Sequence, residues 1–520
     1  MEVDVDVVIT GGGPVGLMLA AELRLAGVEP VVLERLPAIS EIPKGNGLYG
    51  QIVSVFDDRG LLDRLSAGAT WTGRVPRFGF GPLQLDFSGP EPGPLQVLPI
   101  PQRRLEQVLD ERLRELGGNV RRGHELLGFR AAEDQGTVEL DVRGPDGGYR
   151  LRARHLVGCD GAHSFVRKRA GIGFPGVTSA EVSRIGRVTL PAEMIDAATG
   201  AVDVPGAGRL EPARHVRTPR GQYSIAPLAM FDQDAEPGVY IVSTGEEDPG
   251  LDLDSPMTIE ELRESVRRVL GADLPMSRPL WLTRTVGNSR QAETYRLGPI
   301  LLAGDAAHVF GVGGALNAGL LDAVNLGWKL AADVQGRAPA GLLDTYHAER
   351  HAAGRRTLMS TRAQRALGGR DEYGEALRDL FGELAALPGV ARHLGEMIQG
   401  SDFRYGVPAG SAPRHPLQGL PAPDLELDTG EGAKVRVAEL VRAARPVLLD
   451  LTVSRAPSQA AEAWGDAVAV VAAYCPDRSA PADALLIRPD GYVAWAGGPQ
   501  WPDPTAGLED AVRTWFVRPA

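Results

Sequence analysis

The chain has 520 residues, enough for about two to four domains, and its 67 acidic against 55 basic residues give a formal net charge of −12. This balance argues against nucleic acid or an anionic membrane as the main partner, and no apolar run reaches the ~18 residues that a membrane-spanning helix needs. The two cysteines, Cys159 and Cys475, fall in different predicted domains, which excludes a disulfide framework and a Cys-x-x-Cys redox pair.

The first predicted elements are a strand, a glycine turn and a helix. Val5 to Ile9 is a β-branched apolar run typical of a buried strand, and it starts too early for a signal peptide, so we expect a cytoplasmic protein. Gly11, Gly13 and Gly16 follow in the G-x-G-x-x-G spacing, and Leu17 to Ala26 repeats apolar residues at helical period. These glycines permit the tight turn, the approach of a pyrophosphate and close helix–strand packing, respectively. The free N–H groups of the helix N-terminus favour phosphate.

Glu34 stands at the end of a second apolar strand, Val31 to Leu33. At this distance from Gly11 a carboxylate can accept both hydroxyls of an adenosine ribose, so the stretch predicts an adenine dinucleotide. A glycine-rich turn without a ligand is the alternative, but it leaves Glu34 without a role. The motif alone does not separate FAD from NAD.

Loops, short strands and two helices are predicted before the next chemical segment. Residues 37–50 form an extended loop rich in Pro and Gly, in which Lys44 is the only basic residue. One helix is predicted from Ile52 to Leu65, and another begins at Gln102, directly after Pro101. Strands are predicted within 71–100, at 120–129 and at 137–142.

The second chemical segment ends a predicted strand with Asp160 and Gly161, and a helix begins near Ser164. Asp160 and Arg167 would brace the pyrophosphate side of a cleft and a transient NAD(P)H. A capped helix start without a ligand is the alternative. The residues that follow, to about 290, are rich in predicted strands and indicate a second, sheet-built lobe.

The third chemical segment places Gly304 and Asp305 after an apolar strand. If it lines the same cofactor as Glu34, Asp305 accepts the hydroxyls of a polyol, and glycines between 311 and 314 let a flat ring approach the backbone. A helix beginning near Asn317 then points N–H groups at that ring. NAD has no polyol, so the two segments together favour FAD; for Asp305 alone, a helix N-cap is the alternative. No second G-x-G-x-x-G follows a strand, so we expect no separate nicotinamide domain.

Several motifs, in order, resemble the class A flavoprotein aromatic monooxygenases, the group of para-hydroxybenzoate hydroxylase and phenol hydroxylase. The resemblance is greatest to those that tailor aromatic polyketides and inactivate antibiotics. It covers essentially the whole chain, through the glycine turn with Glu34-Arg35, Gln102 to Glu106, Cys159 to Gly161, Arg290 to Ala292, Tyr295-Arg296, Gly304 to His308, Asp322 to Leu330, Tyr346 to Arg350 and Arg488 to Trp495.

This resemblance implies an α/β fold with a Rossmann-type FAD-binding domain and an interleaved β-sheet substrate lobe. The expected boundaries are 1–175 and 285–400 for the FAD-binding domain with its helical extension, 176–284 for the substrate lobe, 401–425 for a linker and 426–520 for a thioredoxin-like domain without redox cysteines. The residues expected to bind the cofactor are Gly11, Gly13, Pro14, Val15, Gly16, Glu34, Arg35, Lys44, Gln102, Leu126, Asp160, Asp305, Gly314, Ala315, Leu316 and Asn317.

The same resemblance implies non-covalent FAD, reduced by NADPH or NADH, whose reaction with O2 gives a flavin C4a-hydroperoxide in a dry cavity. The expected activity is hydroxylation of a phenolic, polycyclic natural product such as an aromatic polyketide or antibiotic. Alternatives are a Baeyer–Villiger oxygenation, a non-oxygenating flavin redox or dehydration step, and a flavin-fold protein that binds a drug without turnover. The sequence leaves a monomer and a homodimer open.

The sequence departs from the pattern of that family in three places, and three of its side chains are candidates for a catalytic base. The loop between His308 and Asn317 is shorter than is usual in that family and lacks proline, and Lys44 stands where an arginine is common. The end domain without redox cysteines is expected to be structural or an interface. Candidates for a catalytic base are His163, His308 and Tyr223, each of which a structural role would also explain.

Overall fold

The structure is a computed structural model. It describes residues 3–41, 47–67, 71–89, 93–131, 136–232, 235–248, 250–252, 255–311, 313–369, 371–406, 415–430, 434–476, 480–498 and 503–516.

An eight-stranded sheet organises the first part of the chain. The strand Val5–Thr10 lies in its middle and pairs in parallel with Gly147–Gly158 on one side and Val31–Glu34 on the other. Its Val7, Val8 and Ile9 side chains are fully buried, as expected for a parallel strand that is covered on both faces. The remaining strands are Ile300–Leu302 and Val120–Arg122, which are parallel to these, and the antiparallel Arg296–Leu297, Glu125–Ala131 and Val138–Gly144.

Parallel pairing brings the glycine turn with Glu34, the segment around Asp160 and the segment around Asp305 to one edge of this sheet. Thr10, Glu34, Gly158 and Leu302 all lie at the carboxyl ends of its parallel strands, where open α/β sheets bind ligands. The helix Pro14–Leu25 leaves this edge and packs against two other helices, Gln102–Glu115 and Ala315–Val334.

A six-stranded antiparallel sheet forms the second lobe, as the sequence predicts. Its strands, in spatial order, are Val216–Thr218, Gly221–Pro227, Val239–Glu247, Gly176–Thr189, Ser277–Gln291 and His308–Val309. The helix Ile259–Leu270 packs on one face and buries an apolar cluster that includes Val188, Val242 and Leu262. The edge strand His308–Val309 leads directly into the glycine loop that precedes helix Ala315–Val334.

Smaller sheets and further helices complete the first two lobes. The strands are Leu48–Tyr49, Gly73–Arg74 and Gln96–Leu98 in one sheet, Arg77–Phe80 with Leu83–Asp86, and Val202–Val204 with Gly208–Leu210. The other helices are Gln51–Asp58, Leu62–Ser66, Phe165–Arg169, Asp344–Ala366, Glu372–Ala385 and Pro388–Gln399, with 3-10 turns at Ala192–Met194, Leu228–Met230 and Gly304–Ala306.

The C-terminal part has its own four-stranded sheet. Val447–Asp450 pairs in parallel with Ala469–Ala472 and antiparallel with Ala484–Ile487, which pairs with Val493–Gly497. This order and these directions are those of the thioredoxin fold, so the predicted fold class is confirmed. The flanking elements are the strands Glu426–Asp428 and Lys434–Arg436, the helices Val437–Leu440, Ala456–Ala461 and Leu508–Trp515, and the 3-10 segment Glu462–Ala467.

Two predicted elements are broken in the structure. The helix predicted from Ile52 to Leu65 is two helices, because Gly60 adopts a left-handed φ of +66° and ends the first of them. The strand predicted at 120–129 is interrupted at Gly123, which has φ +75°. Both breaks occur at glycines with a left-handed φ, and in each case charged residues precede the glycine.

Candidate active site

A cavity of about 870 Å³ runs along the carboxyl edge of the eight-stranded sheet. Every residue predicted to bind the cofactor lines it except Gly16 and Lys44. Gly16 packs beneath the turn, where a Cβ would clash with the carbonyl oxygen of Gly11. Lys44 lies outside the described residues. The cavity thus joins residues at the start of the chain, such as Gly11, to residues of a much later segment, such as Asn317.

The glycine turn has the shape that its sequence predicts. Gly11 has φ +107°, and a Cβ there would clash with the carbonyl of Cys159 on the neighbouring strand. At Gly13 an added Cβ would meet no atom within 4 Å, because this position faces the open cavity. Backbone at the start of helix Pro14–Leu25 is therefore accessible to a phosphate, and the N-cap residue Gly13 has no side chain to cap that helix end.

Glu34 lines the cavity, and its carboxylate is held by backbone N–H groups. Oε2 accepts the N–H of Gly12 at 2.7 Å, and Oε1 accepts the N–H of Leu36 at 2.8 Å. A carboxylate has about four acceptor positions, so each oxygen can still accept a hydroxyl. The structure thus fixes this acid in an orientation suited to a ribose.

Asp160 and Thr10 offer buried polar atoms to the cavity. Asp160 Oδ2 accepts the N–H of Val166 at 3.0 Å and caps the helix Phe165–Arg169. Asp160 Oδ1 and Thr10 Oγ1 are buried, and neither has a hydrogen-bond partner among the residues that the structure describes. Buried polar atoms without partners are costly, so these two fit a ligand that brings polar groups of its own.

Arg167 does not line the cavity. Its guanidinium is buried and donates to the carbonyls of Ala306 at 2.8 Å and Ala162 at 2.9 Å. It therefore ties the segment after Asp160 to the turn that carries Asp305, rather than facing a pyrophosphate. Arg167 therefore holds the two sides of the cleft together through hydrogen bonds to backbone carbonyls.

Asp305 and the start of a long helix also line the cavity. Asp305 is the exposed residue of the 3-10 turn Gly304–Ala306, whose two other residues are buried. The helix Ala315–Val334 starts two residues earlier than predicted, behind Gly313 and Gly314, which have φ +68° and +85°. The N-cap residue Gly314 has no side chain to cap this N-terminus, whose first residues line the cavity with their N–H groups and partial positive charge.

Tyr49 is a cavity residue that sequence reasoning missed. Its N–H donates to Oδ1 of Asn317 at 3.0 Å, and its hydroxyl lies 2.9 Å from where a Cβ on Gly314 would stand. Burial raises the pKa of Tyr49 to about 12, so the phenol stays neutral and can donate a hydrogen bond. The position lies in a two-residue strand after a Pro- and Gly-rich loop, where no periodic signal marks it.

The three candidate bases are separated by the fold. His163 lines the cavity. His308 is fully buried, pairs with Asp322 at 2.6 Å and stacks on Phe310. Tyr223 packs into the apolar cluster behind the six-stranded sheet, on the side of helix Ile259–Leu270. Only His163 can therefore reach a ligand in this cavity.

Over the described ranges, no group of three or more His, Cys, Asp or Glu side chains is placed to hold a metal ion. No helix in the described part of the chain is long and apolar enough to cross a membrane.

Known proteins resemble this chain over nearly its full length. The FAD binding domain family matches residues 4–361, and the aromatic-ring hydroxylase C-terminal family matches 415–519. The 12-dehydrotetracycline 5-monooxygenase/anhydrotetracycline 6-monooxygenase of Streptomyces rimosus is 40% identical over 99% of both chains. The dialkyldecalin synthase of Streptomyces rugosporus is 40% identical over 98% of both chains. A solved anhydrotetracycline hydroxylase from Streptomyces rimosus has a TM-score of 0.85 at 39% identity, over 99% of this chain and 100% of that one. The chain therefore belongs to the FAD-binding aromatic-ring monooxygenases, the class A flavoprotein hydroxylases.

Proposed function

We propose that this protein hydroxylates a phenolic, polycyclic natural product of the aromatic polyketide type, with FAD, NAD(P)H and O2. The observation that carries the proposal is one cavity lined by two acids, Glu34 and Asp305, and by the N-terminus of helix Ala315–Val334 behind its glycine loop. The tetracycline-modifying relatives named above, similar over almost the whole chain, support this substrate class.

The proposed placement of FAD assigns a role to each part of the cavity. Glu34 accepts the ribose hydroxyls, the backbone around Gly13 and Pro14 binds the pyrophosphate, and Asp305 accepts hydroxyls of the polyol chain. The N–H groups at Ala315 and its neighbours face the pyrimidine end of the ring, where they stabilise negative charge. Bound FAD supplies the redox chemistry, taking electrons from NAD(P)H and activating oxygen.

The substrate is proposed to lie on the face of the six-stranded sheet that helix Ile259–Leu270 leaves uncovered. Strand pairing puts half-buried hydroxyl and aliphatic side chains on that face, among them Ser183, Ile185, Ser224, Ser243 and Thr283. A flat ring system with several oxygens matches this mixture, since apolar contacts bury the rings and hydroxyls orient the oxygens. The edge strand of the same sheet continues into the glycine loop, which brings such a substrate beside the flavin.

The test is oxygen uptake by the FAD-loaded protein with NADPH or NADH, with and without an anhydrotetracycline-type substrate. We expect substrate-dependent uptake and a product heavier by one oxygen atom. Conversion without oxygen uptake would contradict hydroxylation. It would favour the second candidate, a non-oxygenating flavin step, which the similarity to a protein named as a synthase, the dialkyldecalin synthase, supports. Assembly as a homodimer stays a prediction that light scattering tests.

A further inference from the structure

The turn that carries Asp305 is held from behind by a buried carboxylate. Asp322, on helix Ala315–Val334, accepts the backbone N–H of Gly304 at 3.0 Å and pairs with Nε2 of His308 at 2.6 Å. Asp322 and His308 are both fully buried. A displacement of this carboxylate therefore moves the turn whose acid faces the cavity.

Arg350 fixes Asp322 in turn. Its Nε donates to Asp322 Oδ1 at 2.7 Å, its Nη2 to the carbonyl of Ala318 at 3.0 Å, and its Nη1 to the hydroxyl of Tyr405 at 3.0 Å. Burial by itself would raise the pKa of Asp322, but the charges of His308 and Arg350 hold it below its ordinary value. Asp322 is thus a carboxylate whose position depends on where Arg350 is anchored.

The C-terminal domain supplies that anchor. The Tyr405 ring stacks on Tyr492 with centroids 3.9 Å apart, and the Tyr405 N–H donates to the carbonyl of Gly419 at 2.9 Å. Arg488, from the same domain as Tyr492, donates to both oxygens of Glu349, the chain neighbour of Arg350, at 2.6 and 2.8 Å. No described residue beyond Asn317 lines the cavity, so any influence of this domain on a ligand there is indirect.

We propose that the C-terminal domain positions the FAD site, because it fixes Tyr405, which with Arg350 and Asp322 holds the turn of Gly304 and Asp305 in its ligand-binding geometry. Tyr405, Arg350 and Asp322 are positioning residues, since none of them lines the cavity. The inference rests on the placement of FAD under the proposed function. It assigns a role to a domain without redox cysteines.

The test compares two variants that each lose one buried phenol hydroxyl. Tyr405→Phe keeps the ring that stacks on Tyr492 but removes the acceptor of Arg350. Tyr240→Phe is the matched control, since this hydroxyl donates to the carbonyl of Gly200 at 3.1 Å in the substrate lobe and its residue is only 2% exposed. FAD is titrated into each apo-protein, and the visible circular dichroism of bound flavin is recorded at saturating FAD. We expect Tyr405→Phe to weaken FAD binding at least about threefold and to change the dichroism, with no more than about twofold weakening and an unchanged spectrum for the control.

Equal effects in the two variants, or none in Tyr405→Phe, overturn the inference. Asp305→Ala in the same titration separates its failure from that of the proposed cofactor placement. If Asp305→Ala leaves FAD affinity unchanged, the placement is wrong and the inference falls with it. If Asp305→Ala weakens FAD binding while Tyr405→Phe does not, the placement stands and only the positioning role is refuted.

Discussion

Arg488→Met removes the cation at the centre of a buried ionic cluster between the C-terminal and FAD-binding domains. The guanidinium donates to Glu349 at 2.6 and 2.8 Å and to Asp490 at 2.5 and 3.0 Å, and it is 2% exposed. Without it, two buried carboxylates remain with one buried ammonium, that of Lys329, 2.6 Å from Glu349. Removing one partner of a buried ion pair costs about 3–5 kcal/mol, because the remaining charge stays out of water.

The assay is urea unfolding of the FAD-loaded protein, followed by circular dichroism and by tryptophan fluorescence. Trp328 and Trp515, which contribute to that emission, have rings 6.4 Å apart across the domain contact. Arg513→Met is the matched control, because Arg513 pairs with Glu509 in the same domain while both side chains are more than 60% exposed. We expect that control to lose at most about 1 kcal/mol. If both variants lose the same free energy of unfolding, within about 1 kcal/mol, the buried cluster does not hold the domains together and the reasoning is wrong.

Three more predictions follow from the cavity and the cluster. Asp305→Ala should weaken FAD binding tenfold or more, since a charge-assisted hydrogen bond is worth about 1.5–3 kcal/mol. Fluorescence titration of FAD into the apo-protein measures the affinity. An unchanged affinity would show that Asp305 does not contact the cofactor. Gly13→Leu should abolish FAD binding yet keep the apo melting temperature, because Gly13 has an ordinary φ of −78° and faces open space; a melting temperature that falls as far as in Gly11→Ala would contradict this. Burial alone would raise the pKa of Glu349, but the charges of Arg488 and Lys329 hold this pKa below its ordinary 4.5. The stabilisation of the fold by ionised Glu349 is therefore full above pH 4.5, and it is lost as the pH falls through the lower pKa of the folded state. Lowering the pH should therefore reduce the free energy of unfolding less in Glu349→Gln than in the natural protein. An equal reduction in both proteins would exclude protonation of Glu349 as a cause of the acid sensitivity.

The sequence predicted the first ligand turn well because its signals are local. Gly11, Gly13 and Gly16 lie within one turn, and Glu34 follows on the adjacent strand, so spacing alone determines their geometry. The family and FAD as cofactor are confirmed by the matches described above. The individual cofactor contacts stay predictions, although nearly all of the residues involved line one cavity.

The sequence could not predict what depends on distant partners. Lys329, Glu349 and Arg488 are charged, and such residues are almost never fully buried unless paired. Their pairing spans up to 139 positions of the chain and has no local signal. Tyr49 was missed for the same reason, because its contact with Asn317 joins segments 268 positions apart. The side chains of the proposed substrate face could not be predicted either, because strand order and register decide which side chains share a face.

The buried ionic cluster also has a consequence for the order of events during synthesis. Lys329 and Glu349 leave the ribosome well before Arg488 and Asp490, so until then the growing chain holds a carboxylate that lacks its main cation. Domains tend to fold from the N-terminus during synthesis, but here the FAD-binding domain can complete its packing only after residue 490 has emerged. A chain interrupted before that point keeps the Glu349 carboxylate without Arg488, the cation that donates to both of its oxygens.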